Sequence, residues 1–236
     1  MKKRLGFFII IFLGGISCFY LLVVPFPIKK IAQHKVFRGI AWFRFDQQNA
    51  LSGWEEKVFK GKVSYRVEAD KNDTYLEAYS RNAASGIVRW LKFNPIKYPY
   101  VSWRWKVLQF PGKKKGSYQD NWWIEKDDYA ARFYIIFPRF PFFRYQCLEY
   151  VWDEFLPKGT VLTNPSYSGL KIIVAESGRE NLGKWVDIER NLNEDFKKYF
   201  GGTPGNVGAI AIMTDADNTT STAEAQYNDI EVGYEK

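Results

Sequence analysis

The chain has 236 residues, of which 46% are hydrophobic and 18% aromatic, so it can bury a sizeable core. Its single histidine, His34, excludes metal sites built from several histidines and leaves any Ser-His-Asp or Cys-His catalytic set dependent on one residue near the N-terminus. The net charge is +8, but seven of these charges lie before residue 41, where no acidic residue occurs. The remaining chain is nearly neutral and does not indicate a nucleic-acid partner.

The N-terminal segment combines three basic residues with a run of 24 uncharged residues from Leu5 to Ile28. A run of this length can span a bilayer, which predicts an uncleaved signal anchor over residues 1–28, followed by a juxtamembrane linker over residues 29–40. Two alternatives remain, namely cleavage as a signal peptide and lipid attachment at Cys18. The apolar run continues beyond Cys18, which favours the anchor and makes the membrane a predicted partner. Basic residues flank the run at both ends, so the positive-inside rule alone does not orient it.

From residue 41 onward, short apolar or alternating stretches are separated by polar turns. This spacing predicts an all-β domain over residues 41–236, a two-sheet jelly-roll-like β-sandwich. The predicted strands are Val63–Ala69, Tyr75–Ser80, Ile87–Phe93, Val101–Val107, Ala130–Phe137, Leu170–Ala175, Trp185–Leu192, Val207–Thr214 and Ala225–Val232.

One short segment departs from the strand pattern and predicts a helix. Asn193 is a candidate N-cap, and Glu194 and Asp195 suit the first turn. Apolar residues from Phe196 onward share one face, and Gly201 is expected to end the helix.

Six stretches, in order, carry a resemblance to a known family. They are SGWEEKVF, LKFNPIKYPYVSWRWKV, DDYAARFYIIF, YVWDEFLPKGT, VAESGRENLGKWVDIERNLNEDFKKYFG and AIAIMTDADNTTSTAEAQYNDIEV. The series covers most of residues 41–232 and resembles the bacterial family catalogued as domain of unknown function 3047. The resemblance implies a sandwich similar to galactose-binding-like and carbohydrate-binding modules, and it implies no known activity. Because members generally carry export signals, it also implies a domain outside the cytoplasm, held at the inner membrane.

A first group of candidate ligand-binding residues follows from alternation along strands. Asp128, Arg132 and Tyr134 have even spacing and share one side, while Phe133 and its alternate neighbours are expected to face the core. An arginine beside a carboxylate suits hydroxyl or carboxylate recognition, although the same residues can form a structural ion pair on the sheet. Arg104 is a further candidate, because it lies on the polar face of a strand whose other face carries tryptophans.

Two more candidates lie further along the chain. The stretch YVWDEFLPKGT predicts a loop in which Trp152 could stack on a sugar ring, the alternative being a tryptophan that plugs the end of the sandwich. Glu176 ends an apolar strand and could act as a general acid or base. Its partner would be Asp128, Asp153 or Asp215, and no spacing rule selects one of them.

The stretch TDADN follows an apolar strand and places Asp215, Asp217 and Asn218 within four positions. One turn needs only one such side chain, so three of them indicate a ligand loop. This interpretation predicts that Asp215 and Asp217 point into a cleft shared with Arg132 or Trp152. In the alternative, the side chains bond the amide groups of their own loop. A standard EF-hand is excluded because a threonine stands where that loop has glycine, and an oxygen-ligand cation site completed by another carboxylate stays open.

These observations favour a non-catalytic domain that binds a glycan or similar polar ligand and needs no cofactor. The abundance of aromatic residues and the lack of a recognisable catalytic set support this interpretation. Two alternatives remain, a structural or protein-binding envelope domain and a carboxylate-based glycan hydrolase or lyase.

Overall fold

The structure, a computed structural model, describes residues 39–46, 49–71, 73–114, 127–139, 144–164 and 167–235. These residues form thirteen strands and one helix. The strands are β1 (Ala41–Phe43), β2 (Trp54–Lys60), β3 (Ser64–Ala69), β4 (Thr74–Arg81), β5 (Ala84–Phe93), β6 (Tyr100–Gln109), β7 (Ala131–Arg139), β8 (Arg144–Asp153), β9 (Val161–Thr163), β10 (Leu170–Ser177), β11 (Val186–Asn191), β12 (Val207–Asp215) and β13 (Thr222–Tyr234). Helix α1 is Leu192–Phe200 and follows β11 directly.

The strands form two sheets. One has six strands, in the order β11-β6-β13-β4-β3 with β1 also paired to β13, and the other has seven, in the order β2-β5-β12-β7-β8-β10-β9. Within the described chain, β8 and β10 pair in parallel and every other pair is antiparallel. The predicted all-β two-sheet sandwich with one helix is therefore confirmed.

The core between the sheets is aromatic. Trp103 of β6 stacks on Phe133 of β7, with ring centroids 4.4 Å apart, and contacts Tyr150 of β8 at 5.3 Å. All three side chains are fully buried, as are Ile135 and Phe137 further along β7. This confirms the prediction that Phe133 and its alternate neighbours Ile135 and Phe137 face the core, because side chains alternate between the two faces of a strand.

All nine predicted strands occur, and their ends differ from the predicted ends by three residues or fewer. The sequence pattern missed β1, β2, β8 and β9. Strand β2 lies at a sheet edge with most of its residues exposed, so it has no buried stripe to detect.

Helix α1 begins two residues earlier than predicted. Its N-cap is Asn191, whose side-chain oxygen accepts the N–H groups of Asn193 and Glu194 at 3.1 and 3.2 Å, so Asn193 lies inside the helix. Gly201 ends the helix as predicted: with φ of 74° it adopts a conformation that favours glycine, and its N–H donates to the carbonyl of Lys197.

In the described part of the chain, no helix has the length and apolarity needed to cross a membrane. The predicted anchor over residues 1–28 lies outside the described residues, and so does most of the linker.

Candidate functional site

A groove lies on the outer face of the seven-stranded sheet. Along β7, Phe133 and Ile135 enter the core, whereas Tyr134 and Ile136 line the groove. The register between β7 and β12 sets Ala211 opposite Tyr134, so neighbouring strands present the same face. The groove has a volume of about 550 Å³.

Most of the groove wall is apolar. Val88 of β5 and Ala211 of β12 form part of its floor. Trp90 of β5 and Phe59 of β2 are 57% and 72% exposed on one side, and Tyr145 of β8 is 42% exposed on the other. Large exposed aromatic side chains that share one depression are typical of a binding surface rather than of a solvated sheet face.

Arg132 forms the polar end of the groove and is almost completely buried. Its Nε donates to Glu149 Oε1 at 2.6 Å, and its Nη1 donates to the carboxylate of Asp215 and to the carbonyl oxygen of Asp127 at 3.0 Å. Its Nη2 donates to Asp127 Oδ1 at 3.1 Å. Arg132 therefore lines the groove, as the ligand-site interpretation requires, and it also forms the buried ion pairs of the alternative.

The carboxylate of Asp215 bonds groups outside its own loop. It accepts the N–H of Tyr129 at 2.8 Å and is paired with Arg132. Asp217 and Asn218 also line the groove, and Lys60 Nζ lies 3.7 Å from the Asp217 carboxylate. Asp215 and Asp217 thus share a groove with Arg132, which is the arrangement predicted for a ligand loop.

Asp128 has a different position from the one its spacing suggested. It does not line the groove, and its carboxylate accepts the N–H of Asn218 at 3.2 Å. It also accepts the N–H and the hydroxyl of Thr219, both at 2.7 Å. The amide groups of Asn218 and Thr219, at the end of the TDADN stretch, are therefore satisfied by a carboxylate that precedes β7.

The electrostatic environment of the polar end shifts one carboxyl into the neutral pH range. Burial raises the pKa of Asp127 to about 7, and the nearby Glu149 and Asp128 act in the same direction, although Arg132 opposes them. Asp127 also lines the groove, where a carboxyl with such a pKa exchanges protons near neutral pH.

A second buried pair lies beside this network. Lys113 Nζ is 3.0 Å from Asp153 Oδ2 and 3.5 Å from the centre of the Tyr129 ring. Burial raises the pKa of Asp153, but Lys113 and the N–H groups of Leu156 and Phe155 outweigh burial and lower it below the usual value.

Three carboxylates come close enough to consider a cation site. One oxygen each of Asp128, Asp215 and Asp217 lies within 4.8 Å of the others. Hydrogen-bond donors already occupy both oxygens of Asp128 and of Asp215. A cation at this point would have to displace those donors, so the carboxylates are arranged for N–H groups rather than for a metal.

Trp152 is not the loop-borne stacking residue predicted from its surroundings. It lies in β8, is fully buried, and its indole N–H donates to the carbonyl of Gly178 at 3.0 Å. Its register partner is Ala131, so it lies on the core side of the sheet, opposite the groove. The side chain packs near Trp105 and Phe110, in agreement with the alternative of a plug.

The structure also separates Glu176 and Arg104 from the groove. Glu176 pairs with Lys158 at 3.1 Å, and its acid–base role stays a prediction. Arg104 lies on the outer face of the six-stranded sheet, where it pairs with Asp73 and covers the ring of Trp185 at 4.7 Å.

Sequence reasoning missed several residues of the site, among them Phe59, Trp90, Asp127 and Glu149. In the predicted strand Ile87–Phe93 both faces carry apolar residues, so Trp90 could not be told from a core residue. The available signal for Asp127 was its position next to Asp128. Glu149 could not be found, because β8 itself was not predicted.

Comparisons with solved structures give only distant likenesses. Two structures of the family 11 carbohydrate-binding module from Clostridium thermocellum are 12% and 13% identical, with TM-scores of 0.44. They cover 83% and 82% of this chain and 95% of their own, and one holds a β-1,3-1,4-mixed-linked tetrasaccharide. A family 30 module of a cellulosomal cellulase from the same organism is 11% identical, with a TM-score of 0.38, and covers 78% of this chain and 92% of its own. At these identities and scores, the likeness does not transfer a ligand to this chain.

No curated protein sequence matches the chain. A family match is found over residues 52–231, a range that spans the sandwich from before β2 into β13 and contains every residue of the groove. The chain therefore belongs to the family described as "Protein of unknown function (DUF3047)".

Proposed function

We propose that the groove binds a glycan without catalysing its cleavage. The observation that carries the proposal is the presence of exposed aromatic rings, Trp90 and Phe59, in one groove with the polar side chains of Asp217 and Asn218. A volume of about 550 Å³ suits a ligand of a few sugar rings.

The chemistry of a sugar matches both parts of the groove. Pyranose rings have apolar C–H faces that pack on aromatic rings, and Trp90 offers a large exposed face at low entropic cost. Sugar hydroxyls are both donors and acceptors, and they can bond the carboxylate of Asp217 and the amide of Asn218. Neither side chain is fully sequestered by the sandwich.

The test is a glycan-array screen of the full-length protein, followed by calorimetry with the strongest binder. Trp90→Ala is expected to weaken binding about tenfold or more, which corresponds to roughly 1.4 kcal/mol of lost stacking. Its melting temperature should stay close to that of the wild type, because the ring is exposed. The matched control is Ile96→Ala, which removes an exposed apolar side chain outside the groove. Equal loss in both variants, or unchanged binding by Trp90→Ala, would contradict the proposal.

A second candidate is a carboxylate-based hydrolase or lyase, favoured by Asp127, which lines the groove with a pKa of about 7. A carboxyl that titrates near neutral pH can act as a general acid. Incubation of the bound glycan with the protein, with detection of new chain ends, separates the two functions. Cleavage that Asp127→Asn abolishes would establish the enzyme, and intact glycan after long incubation would leave the binding function.

We also propose that residues 1–28 anchor the protein in the inner membrane, with the sandwich outside the cytoplasm. The uncharged run of 24 residues supports the anchor, and the export signals of the resembling family support the orientation. The full-length protein is expected to stay in the membrane fraction after a carbonate wash. A periplasmic reporter fused after Lys236 is expected to be active. A mature N-terminus at or beyond Cys18 would refute the anchor.

A further inference from the structure

The polar end of the groove holds more negative than positive side chains. Among the described residues, its carboxylates and cations are Asp127, Asp128, Glu149, Asp153, Asp215, Asp217, Lys60, Lys113 and Arg132. Six carboxylates face these three cations, an excess of three negative charges when all groups are ionised. A further cation, Lys57, also lines the groove and is paired with Glu55, so this pair leaves the excess unchanged.

The three cations are already engaged. Arg132 uses four N–H groups on Glu149, Asp215 and Asp127. Lys113 is buried against Asp153, and Lys60 donates to the backbone carbonyl of Asp217 at 3.1 Å. Lys57 and Lys60 are about half exposed and remain open to an anion. In the buried part of the polar end, an anionic ligand would meet carboxylates whose cations are already used, at a large energetic cost.

A buried acceptor independently indicates a missing cation or donor. Glu149 Oε2 is buried and has no hydrogen-bond partner in the described structure. Glu149 is fully buried and does not itself line the groove. It lies on the groove side of the sheet, because the alternate residue Cys147 lines the groove and the register partner is Tyr134, which lines it too. An unpaired buried carboxylate oxygen is costly, so a site of this kind gains from a positive ligand group.

We propose that the glycan bound in the groove carries an ammonium group, which is placed at the polar end beside Asp217. The inference rests on the proposed function and specifies its ligand class as an amine-bearing sugar. Asp217 is the residue that contacts the ammonium group, because it lines the groove and its ion pair with Lys60 is long, at 3.7 Å, with the lysine 55% and the aspartate 14% exposed. The apolar part of the groove, with Trp90, takes the neighbouring ring.

The test compares three oligosaccharides of equal length on the full-length protein by calorimetry, at low and at high salt. They are a glucosamine oligomer, its fully N-acetylated form and a galacturonic acid oligomer. The glucosamine oligomer is expected to bind about tenfold more tightly than the acetylated form at low salt, and the ratio should shrink at high salt. Asp217→Asn is expected to reduce the ratio to near one. The control Asp187→Asn, an exposed carboxylate on the six-stranded sheet, should leave it unchanged.

The outcomes separate this inference from the proposed function. Equal binding of the acetylated and free amines, or tighter binding of the acidic oligomer, would overturn the ammonium site while glycan binding stands. An unchanged ratio in Asp217→Asn would also overturn it. Binding of none of the three oligomers, together with a negative glycan array, would overturn both.

Discussion

At the scale of single residues, Arg132 determines whether the polar end can exist. Glu149 and Asp215 are both buried, and both are paired with the same guanidinium group. A buried ion pair adds little net stability over a hydrophobic pair, but removing one partner leaves uncompensated buried charge.

Arg132→Met is therefore expected to lower the free energy of unfolding by about 3–5 kcal/mol, measured by urea denaturation. The control is Arg44→Ala. Arg44 pairs with Asp46 and both side chains are exposed, at 43% and 38%, so its loss should cost about 1 kcal/mol or less. A similar small cost for Arg132→Met would show that the network is open to water and does not depend on the arginine.

Sequence reasoning reached part of this site at the residue scale. Even spacing placed Arg132 and Tyr134 on the face opposite Phe133. This could be predicted because the alternation of side chains along a strand depends only on neighbouring positions in the sequence. The partners of Arg132 come from β8 and from the end of β12, and pairing between distant strands leaves no spacing signal in one sequence. Trp152 was misplaced for the related reason that a buried strand was interpreted as a loop.

At the scale of elements, the turn between β12 and β13 is stabilised by a residue that does not belong to it. Asp128, which precedes β7, accepts two amide groups and one hydroxyl of Asn218 and Thr219. Asp217, on the turn itself, faces the groove and accepts none of the loop's amide groups that the structure describes. The carboxylate that shapes the turn and the one proposed to contact ligand are thus different residues.

Asp128→Ala is expected to destabilise the protein by about 2–4 kcal/mol, because several donors would lose a charged acceptor. Hydrogen exchange at the amides of Asn218 and Thr219 should become faster. Asp217→Ala is the matched control on the same turn, and it should change stability by about 0.5 kcal/mol or less. Equal exchange rates in the two variants would mean that the turn does not depend on Asp128.

The elements that sequence reasoning found are those with a visible pattern. Strand β6 alternates cleanly between buried and half-buried residues, and it was predicted to within two residues at each end. Strand β8 is buried on both faces from Cys147 to Asp153, so neither alternation nor a polar side marks it. Helix α1 was found, but two asparagines close together offered two possible caps, and the extended backbone at Asn191 decides between them.

At the scale of the whole molecule, the core and the proposed binding groove lie on opposite faces of the seven-stranded sheet. The inner face of the seven-stranded sheet carries the aromatic core, and its outer face carries the groove. The polar end interrupts this division, because it brings several carboxylates into a buried region where they influence the folding equilibrium. Stability should therefore depend on pH in a way set by this one cluster.

Burial raises the pKa of Asp215 as well, so this carboxyl acts in the same direction as Asp127. The sign of the dependence follows from Asp127. Its pKa is raised to about 7 in the folded protein, whereas an unfolded aspartate titrates near about 3.9, so the folded state binds more protons between these values. Stability is then expected to fall as the pH rises from 5 to 7.5. Asp153 acts oppositely, but its lowered pKa confines its effect to more acidic solutions. The melting temperature of the full-length protein, measured across this range, should decrease, and Asp127→Asn should flatten the slope because an amide cannot titrate. A rising melting temperature, or the same slope in the variant, would show that Asp127 stays ionised in the fold and that Arg132 outweighs its burial.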